Sequence, residues 1–229
     1  MTALLCVKAG TVVTRDYLFE ALWSGNPPDT ALAALQVYVS RLRKHLAAHD
    51  GFADRLVTRP HGYLLELEPQ ELDLCQFEAK ASRAKAAQAA GSDEEALSYW
   101  QAACALWRGP ALADLRGLPL FDNLARQLDE KRIAALEQRI TLELELGRAD
   151  GIISELYGLV ADYPLWENVH AQLMLSLYRS GRAAEALLAF QNIRDTLLQE
   201  LGMEPGERIQ QLHRAVLARD PRLLTTRTA

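Results

Sequence analysis

The tripeptide Gly-Arg-Ala occurs twice in this chain, at Gly147-Arg148-Ala149 and Gly181-Arg182-Ala183, 34 residues apart. A glycine that interrupts one apolar periodicity just before another begins is a helix stop followed by a helix start. The correspondence continues past the turn. Ile152 matches Ala186, Leu156 matches Phe190 and Leu159 matches Ile193, all at apolar positions of a helix-turn-helix unit. Six aligned positions with the same turn predict an array of helical hairpins, each burying its apolar side against the next.

A 34-residue period is that of tetratricopeptide repeats, and the flanking sequence fits such an array. Leu72 to Ala90 is an alanine-rich helix with Asp73 as a possible cap, stopped by Gly91, and Ser92 caps a second helix running through Leu106. Trp107-Arg108-Gly109-Pro110 closes that pair, and Leu120 to Leu146 is a long helix without internal Gly or Pro. After the break at Leu201-Gly202-Met203-Glu204-Pro205-Gly206, a helix from Glu207 to Ala218 caps the array, and the segment from Asp220 to Ala229 reads as a frayed tail. Glu68-Pro69-Gln70 marks a boundary, giving domains at 1–67 and 68–220 and a tail at 221–229.

Upstream of that boundary the pattern changes. Thr2 to Ala9 is a short apolar helix stopped by Gly10, Thr11-Val12-Val13 is a brief extended link, and Thr14 caps a helix from Arg15 to Trp23. Ser24-Gly25-Asn26-Pro27-Pro28 breaks the chain, and Asp29 or Thr30 caps a helix through Ala48. In that helix Leu32, Leu35, Val39, Leu42 and Leu46 form one apolar stripe facing a core. The opposite face collects Ala33, Val37, Ser40, Arg41 and Lys44, flanked by Gln36, Arg43 and Tyr38. Slim side chains followed by cations are what a helix needs to enter a DNA major groove, although a basic outer face is most often simply a solvated one. The residues after the helix favour the groove. Leu56 to Thr58 and Tyr63 to Leu67 are strand-prone runs joined by Arg59-Pro60-His61-Gly62, a hairpin with its own cation, and a helix succeeded by such a hairpin is the arrangement of a winged helix.

Charge supports this once it is divided. The net charge is −5, yet residues 1–67 hold seven Lys/Arg against six Asp/Glu, and Gln36 to Leu65 holds five cations against two anions. So modest a footprint implies that tight DNA occupancy draws on self-association or a protein partner. No apolar run approaches the roughly 20 residues that span a bilayer, and Met1 to Ala9 lacks the charged region and apolar core of a signal peptide. The expected location is cytoplasmic, with no membrane partner. Cys6, Cys75 and Cys104 lack metal-ligand spacing and read as small core residues. His45, His49, His61, His170 and His213 form no ligand set, and no phosphate loop, nucleophile elbow or paired-acid motif appears. Neither catalytic residues nor a metal or other cofactor is expected.

Three stretches, Thr14-Arg15-Asp16-Tyr17-Leu18-Phe19-Glu20-Ala21-Leu22-Trp23, Tyr38-Val39-Ser40-Arg41-Leu42-Arg43-Lys44 and Thr58-Arg59-Pro60-His61-Gly62-Tyr63-Leu64-Leu65, in that order, resemble the Streptomyces antibiotic regulatory protein family of transcriptional activators. The second part resembles that family's bacterial transcriptional activation domain through Trp107-Arg108-Gly109-Pro110, Asp114-Leu115, Ala171-Gln172-Leu173-Met174, Leu177-Tyr178-Arg179-Ser180-Gly181-Arg182 and Glu200-Leu201-Gly202-Met203-Glu204-Pro205-Gly206. The implied fold is mainly α, a truncated winged helix-turn-helix followed by a tetratricopeptide-like helical-repeat domain. Family members place a small β-sheet ahead of the first helix, whereas here Met1 already stands at that helix. Without that platform, the apolar faces of Thr2 to Ala9 and of the hairpin are expected to lose a packing partner, at a few kcal/mol.

The resemblance implies a sequence-specific DNA-binding activator whose copies self-associate on tandem promoter repeats and recruit RNA polymerase through its sigma factor and other subunits. It places the recognition helix at Asp29 through Leu46 and the wing at Arg59 through Tyr63. Val37, Ser40, Arg41 and Lys44 are then the base-reading candidates, with Gln36 beside them; Arg43 and Arg59 are candidates for phosphate or minor-groove contacts, and Thr14 for donation to phosphate. The competing expectation is a protein-interaction scaffold, or a short regulatory form that no longer binds DNA by itself.

Overall fold

The computed structural model describes residues 1–49 and 51–225. The chain divides into two compact units, Met1–Arg83 with Ala102–Ile133, and Ala84–Gln101 with the chain from Ala134 on.

The first unit begins with α1 (Thr2–Val7), β1 (Val12–Thr14), α2 (Arg15–Trp23), α3 (Ala31–Ala47), β2 (Leu56–Arg59) and β3 (Gly62–Leu65). Val12–Thr14 is more than an extended link. It is an edge strand, antiparallel to β3 with Val13 opposite Tyr63 and Thr14 opposite Gly62, so β3 is central in a three-stranded sheet ordered β1-β3-β2. The turn between β2 and β3 is Pro60-His61, with Arg59 opposite Gly62. Gly62 is required by this geometry, because a Cβ there would fall 2.0 Å from the Val13 carbonyl oxygen.

Helix α3 buries Ala31, Leu35, Val39 and Leu42 as its apolar spacing requires. Leu32 departs from the expected stripe and is 45% exposed. It sits in the first turn, about 60° round the helix from the stripe's centre. The core joins these side chains to Leu4, Leu5, Val13, Leu18, Leu56, Tyr63 and Leu65, and then to Phe121 and Leu124, with Leu112, Leu115 and Leu120 packed against them. The expected loss of a packing partner is therefore not met: Leu4 and Leu5 are 0% exposed, because the segment around residues 112–124 supplies side chains to that core.

The remaining helices are α4 (Asp73–Ala89), α5 (Asp93–Cys104), α6 (Pro119–Glu145), α7 (Ala149–Asp162), α8 (Glu167–Arg179), α9 (Ala183–Leu201) and α10 (Glu207–Leu217). The 34-residue repeat is realised in the backbone of its turns. Gly147 and Gly181 adopt φ of 77° and 75°. At the first turn Arg148 N donates to Glu143 O at 2.8 Å, and at the second Arg182 N donates to Leu177 O at 2.8 Å. Gly91 repeats the pattern, with φ 76° and Ser92 N donating to Ala87 O at 2.9 Å. In each, a glycine in the left-handed region lets the chain satisfy the carbonyls at a helix end and reverse. The paired positions Ile152 and Ala186, Leu156 and Phe190, Leu159 and Ile193 are all buried.

Two further expectations fail. The three cysteines are free and half-buried rather than core residues. The tail is not frayed between Asp220 and Thr225: Pro221–Leu224 forms a 3-10 turn capped by Asp220, and the Arg179 guanidinium donates to Leu223 O at 2.8 Å and Thr225 O at 3.0 Å. The same guanidinium reaches Leu144 O at the end of α6, so one half-buried cation satisfies carbonyls that a helix end and a turn leave open. Residues 226–229 lie outside the described residues.

Candidate nucleic-acid interface

The surface that carries the candidate residues is built on α3. Because Ala31, Leu35, Val39 and Leu42 are held in the core, the opposite face must turn outward, and Gln36, Val37, Ser40, Arg41 and Lys44 are all exposed on it. Val37 is 48% exposed, a branched apolar group of the kind that packs on a thymine methyl. Among the described residues, neither Arg41 nor Lys44 has an ion-pair partner or side-chain hydrogen bond, so their charge is undiminished. Tyr38, at the edge of this face, stacks on Trp23 of α2 with ring centroids 6.3 Å apart, and Tyr63 is buried in the sheet core.

Arg43 lies elsewhere. Its Nε and Nη2 donate to the Leu56 carbonyl at 3.1 and 2.9 Å, and Nη2 also donates to Thr58 Oγ1 at 2.7 Å. The side chain is half-buried and directs Nε and Nη2 to β2, which ties the helix to the hairpin.

At the far side of the sheet, the hairpin turn meets the start of α2. Thr14 Oγ1 accepts from Tyr17 N at 3.2 Å as the helix cap, which leaves its own hydroxyl proton available to donate. Arg15 N donates to His61 O at 3.0 Å, and Arg15 Nη2 reaches Pro60 O at 3.4 Å. Arg59, at the end of β2, pairs with Glu66 at 3.4 Å, both side chains about half exposed, so its charge is partly offset by a weak, solvated pair. Thr14, Arg15, Arg59 and His61 therefore gather around one turn. Sequence reasoning did not single out Arg15, although a cation in the first turn of a helix opposes the helix dipole and signals that something holds it there.

No group of three or more His, Cys, Asp or Glu among the described residues is arranged to hold a metal, and no described helix is long and apolar enough to cross a membrane. The arrangement is a helix face, a turn and a sheet edge, the geometry of groove reading beside a backbone clamp.

Comparison with known proteins agrees with this geometry. Residues 1–65 match the family described as "Transcriptional regulatory protein, C terminal", and residues 72–217 match the "Bacterial transcriptional activator domain". The chain is 42% identical over 226 residues to Regulatory protein DnrI of Streptomyces peucetius, covering 96% of this chain and 83% of that one. The chain belongs to the Streptomyces antibiotic regulatory protein family. It is 39% identical to Regulatory protein AfsR of Streptomyces griseus, of which it spans 22%. It also superposes, with a TM-score of 0.88 and 34% identity, on a structure titled Mycobacterium tuberculosis EmbR in complex with low affinity phosphopeptide, covering 96% of this chain and 58% of that one. The regulator is thus a DNA-binding transcriptional activator and not an enzyme.

Proposed function

We propose that the regulator reads direct repeats upstream of a promoter through the exposed face of α3, with copies side by side, and raises transcription by engaging RNA polymerase through its sigma factor and other subunits. Val37, Ser40, Arg41 and Lys44 meet base edges, Gln36 flanks them, and Thr14 and Arg59 meet phosphates beside the hairpin turn. Arg43 acts through β2, by fixing where the hairpin stands.

The observation that carries this reading is the pair of cations, Arg41 and Lys44, without an ion-pair partner among the described residues, on the outward face of a helix whose other face is locked in the core. So few cations per chain give a shallow counterion release on a single site, and adjacent copies then add contacts without new chemistry. The burial of Leu4, Leu5, Tyr63 and Leu65 supports this reading over the scaffold alternative, because the core that positions α3 is filled.

The test is footprinting of the purified chain on genomic fragments, followed by in vitro transcription from a protected promoter with the cognate polymerase. Protection of tandem sites and stimulated transcription are expected. Protection without stimulation refutes polymerase recruitment, and absence of any protected site refutes the reading as a whole.

A further inference from the structure

His45 lies in the last turn of α3 and His49 just beyond its end, four residues on, and both side chains are exposed. The backbone fixes where the second histidine stands. His49 N donates to Leu46 O at 3.0 Å and His49 O accepts from Phe52 N at 3.2 Å, so the helix end and the following turn hold it from both sides. The two rings have centroids 5.2 Å apart and planes at 62°. Two imidazoles that share one tetrahedral ion, each nitrogen roughly 2.0–2.1 Å from the metal, have ring centres about 5 Å apart. The observed separation is already of that size.

A hydrogen bond selects the tautomer of His49. Its Nδ1 lies 3.1 Å from His45 O, and a carbonyl oxygen only accepts, so Nδ1 carries the proton and the lone pair of the neutral ring is on Nε2. This is the outer-shell pattern of metal-bound histidine, in which one ring nitrogen donates to a backbone carbonyl and leaves the other for the ion. Spacing alone gives the pair no third ligand, and among the described residues no third His, Cys, Asp or Glu completes a cluster. An ion held there keeps positions for water. The partial negative charge of a helix C-terminus favours a cation at this place. The exposed Arg41 and Lys44 oppose it, through solvent that screens them.

We propose that His45 and His49 form a two-imidazole site for a divalent transition-metal ion of the zinc, nickel or copper type, with water in the remaining positions. Imidazole selects these ions over magnesium and calcium, which take oxygen ligands. Rotation of two exposed side chains brings their free nitrogens to the ion while the backbone stays in place. The bound ion clasps the last turn of α3 to the segment that leads into β2.

The test uses the full chain labelled with 15N, with the histidine ring nitrogens observed by NMR and Zn2+ as the probe. Zn2+ is expected to shift Nε2 of His49 and a ring nitrogen of His45 saturably and with one shared midpoint, whereas Mg2+ leaves both in place. His45→Ala, at an exposed position, is expected to weaken Zn2+ binding at His49 by at least about tenfold, because the second imidazole of a chelate acts intramolecularly. Hydrogen exchange of the Ala48 and His49 amides is expected to slow at saturating Zn2+. Movement of one ring without the other, absence of saturation, or unchanged Zn2+ affinity in His45→Ala overturns the shared site. Unchanged amide exchange with both rings bound overturns the clasp. The ring shifts and the exchange are read on the unaltered chain, so they stand even if the variant folds poorly.

Discussion

The guanidinium of Arg43 closes on the carbonyl oxygen of Leu56 with two hydrogen bonds, at 3.1 and 2.9 Å, across thirteen residues of sequence. It locks α3 to the first strand of the hairpin. Replacing Arg43 by Ala leaves a half-buried carbonyl without its donors, and the expected loss is about 1–3 kcal/mol of stability. DNA affinity should fall by a similar factor on every sequence, with an unchanged salt slope, because no phosphate contact is removed. Arg43→Lys restores charge without the planar fork and recovers only part of the loss. A salt slope reduced by about one unit in Arg43→Ala would instead place Arg43 on a phosphate.

Gly62 makes an independent prediction about the sheet. A methyl group there has no room beside the Val13 carbonyl, which is backbone and cannot move without breaking the β1–β3 pairing. Gly62→Ala is expected to destabilise the chain by at least the ~1–3 kcal/mol typical of overpacking. Gly109→Ala, with nothing within 4 Å and no left-handed φ, should leave the denaturant midpoint unchanged.

The dependence on pH follows from His170, which is 2% exposed and bonded through Nε2 to Pro164 O at 3.2 Å. Burial lowers its pKa below the ordinary value of 6.5, an effect that outweighs the carbonyl contact. Below about pH 6.5 the unfolded chain takes up a proton that the folded chain resists, so stability present above that pH falls as the solution is acidified toward the folded value. His213, stacked on Phe190 with centroids 3.9 Å apart, is shifted the same way by burial and adds to the slope. The melting temperature at pH 5.5 should lie below that at pH 7.5, and His170→Gln should shrink the difference without abolishing it. An unchanged difference would show that His170 titrates as an exposed side chain.

The helical repeat carries a prediction about its core. Leu156 and Ile193 are both 0% exposed in corresponding hairpins, and truncation of either to Ala should cost about 2–5 kcal/mol. Chemical denaturation of the two variants checks this. A cost below about 1 kcal/mol at either site would mean that its hairpin packs loosely.

Much of this structure was legible because it rests on local periodicity. The buried stripe of α3, the Thr14 cap and the recurrence of Gly147 and Gly181 each depend on spacing within a turn or two of helix. What escaped depends on partners remote in sequence. Val12–Thr14 is too short to show strand alternation and is a strand only because Gly62 lets β3 approach. Phe121 and Leu124 enter the N-terminal core from more than fifty residues beyond the hairpin, and Arg179 orders a tail that has no apolar pattern of its own. The outward face of α3 was readable as a face. That the flanking Arg43 turns back to the protein was not, since this depends on the Leu56 carbonyl and Thr58 hydroxyl that lie across from it.

The central claim, that α3 reads base sequence, is tested most directly by selecting DNA sites from a random pool with the full chain and with Arg41→Ala, and comparing preference position by position. The account predicts a loss of about 1–3 kcal/mol that relaxes preference at one base pair of each repeat while the others keep theirs. An equal loss at every sequence, or no loss at all, would contradict it.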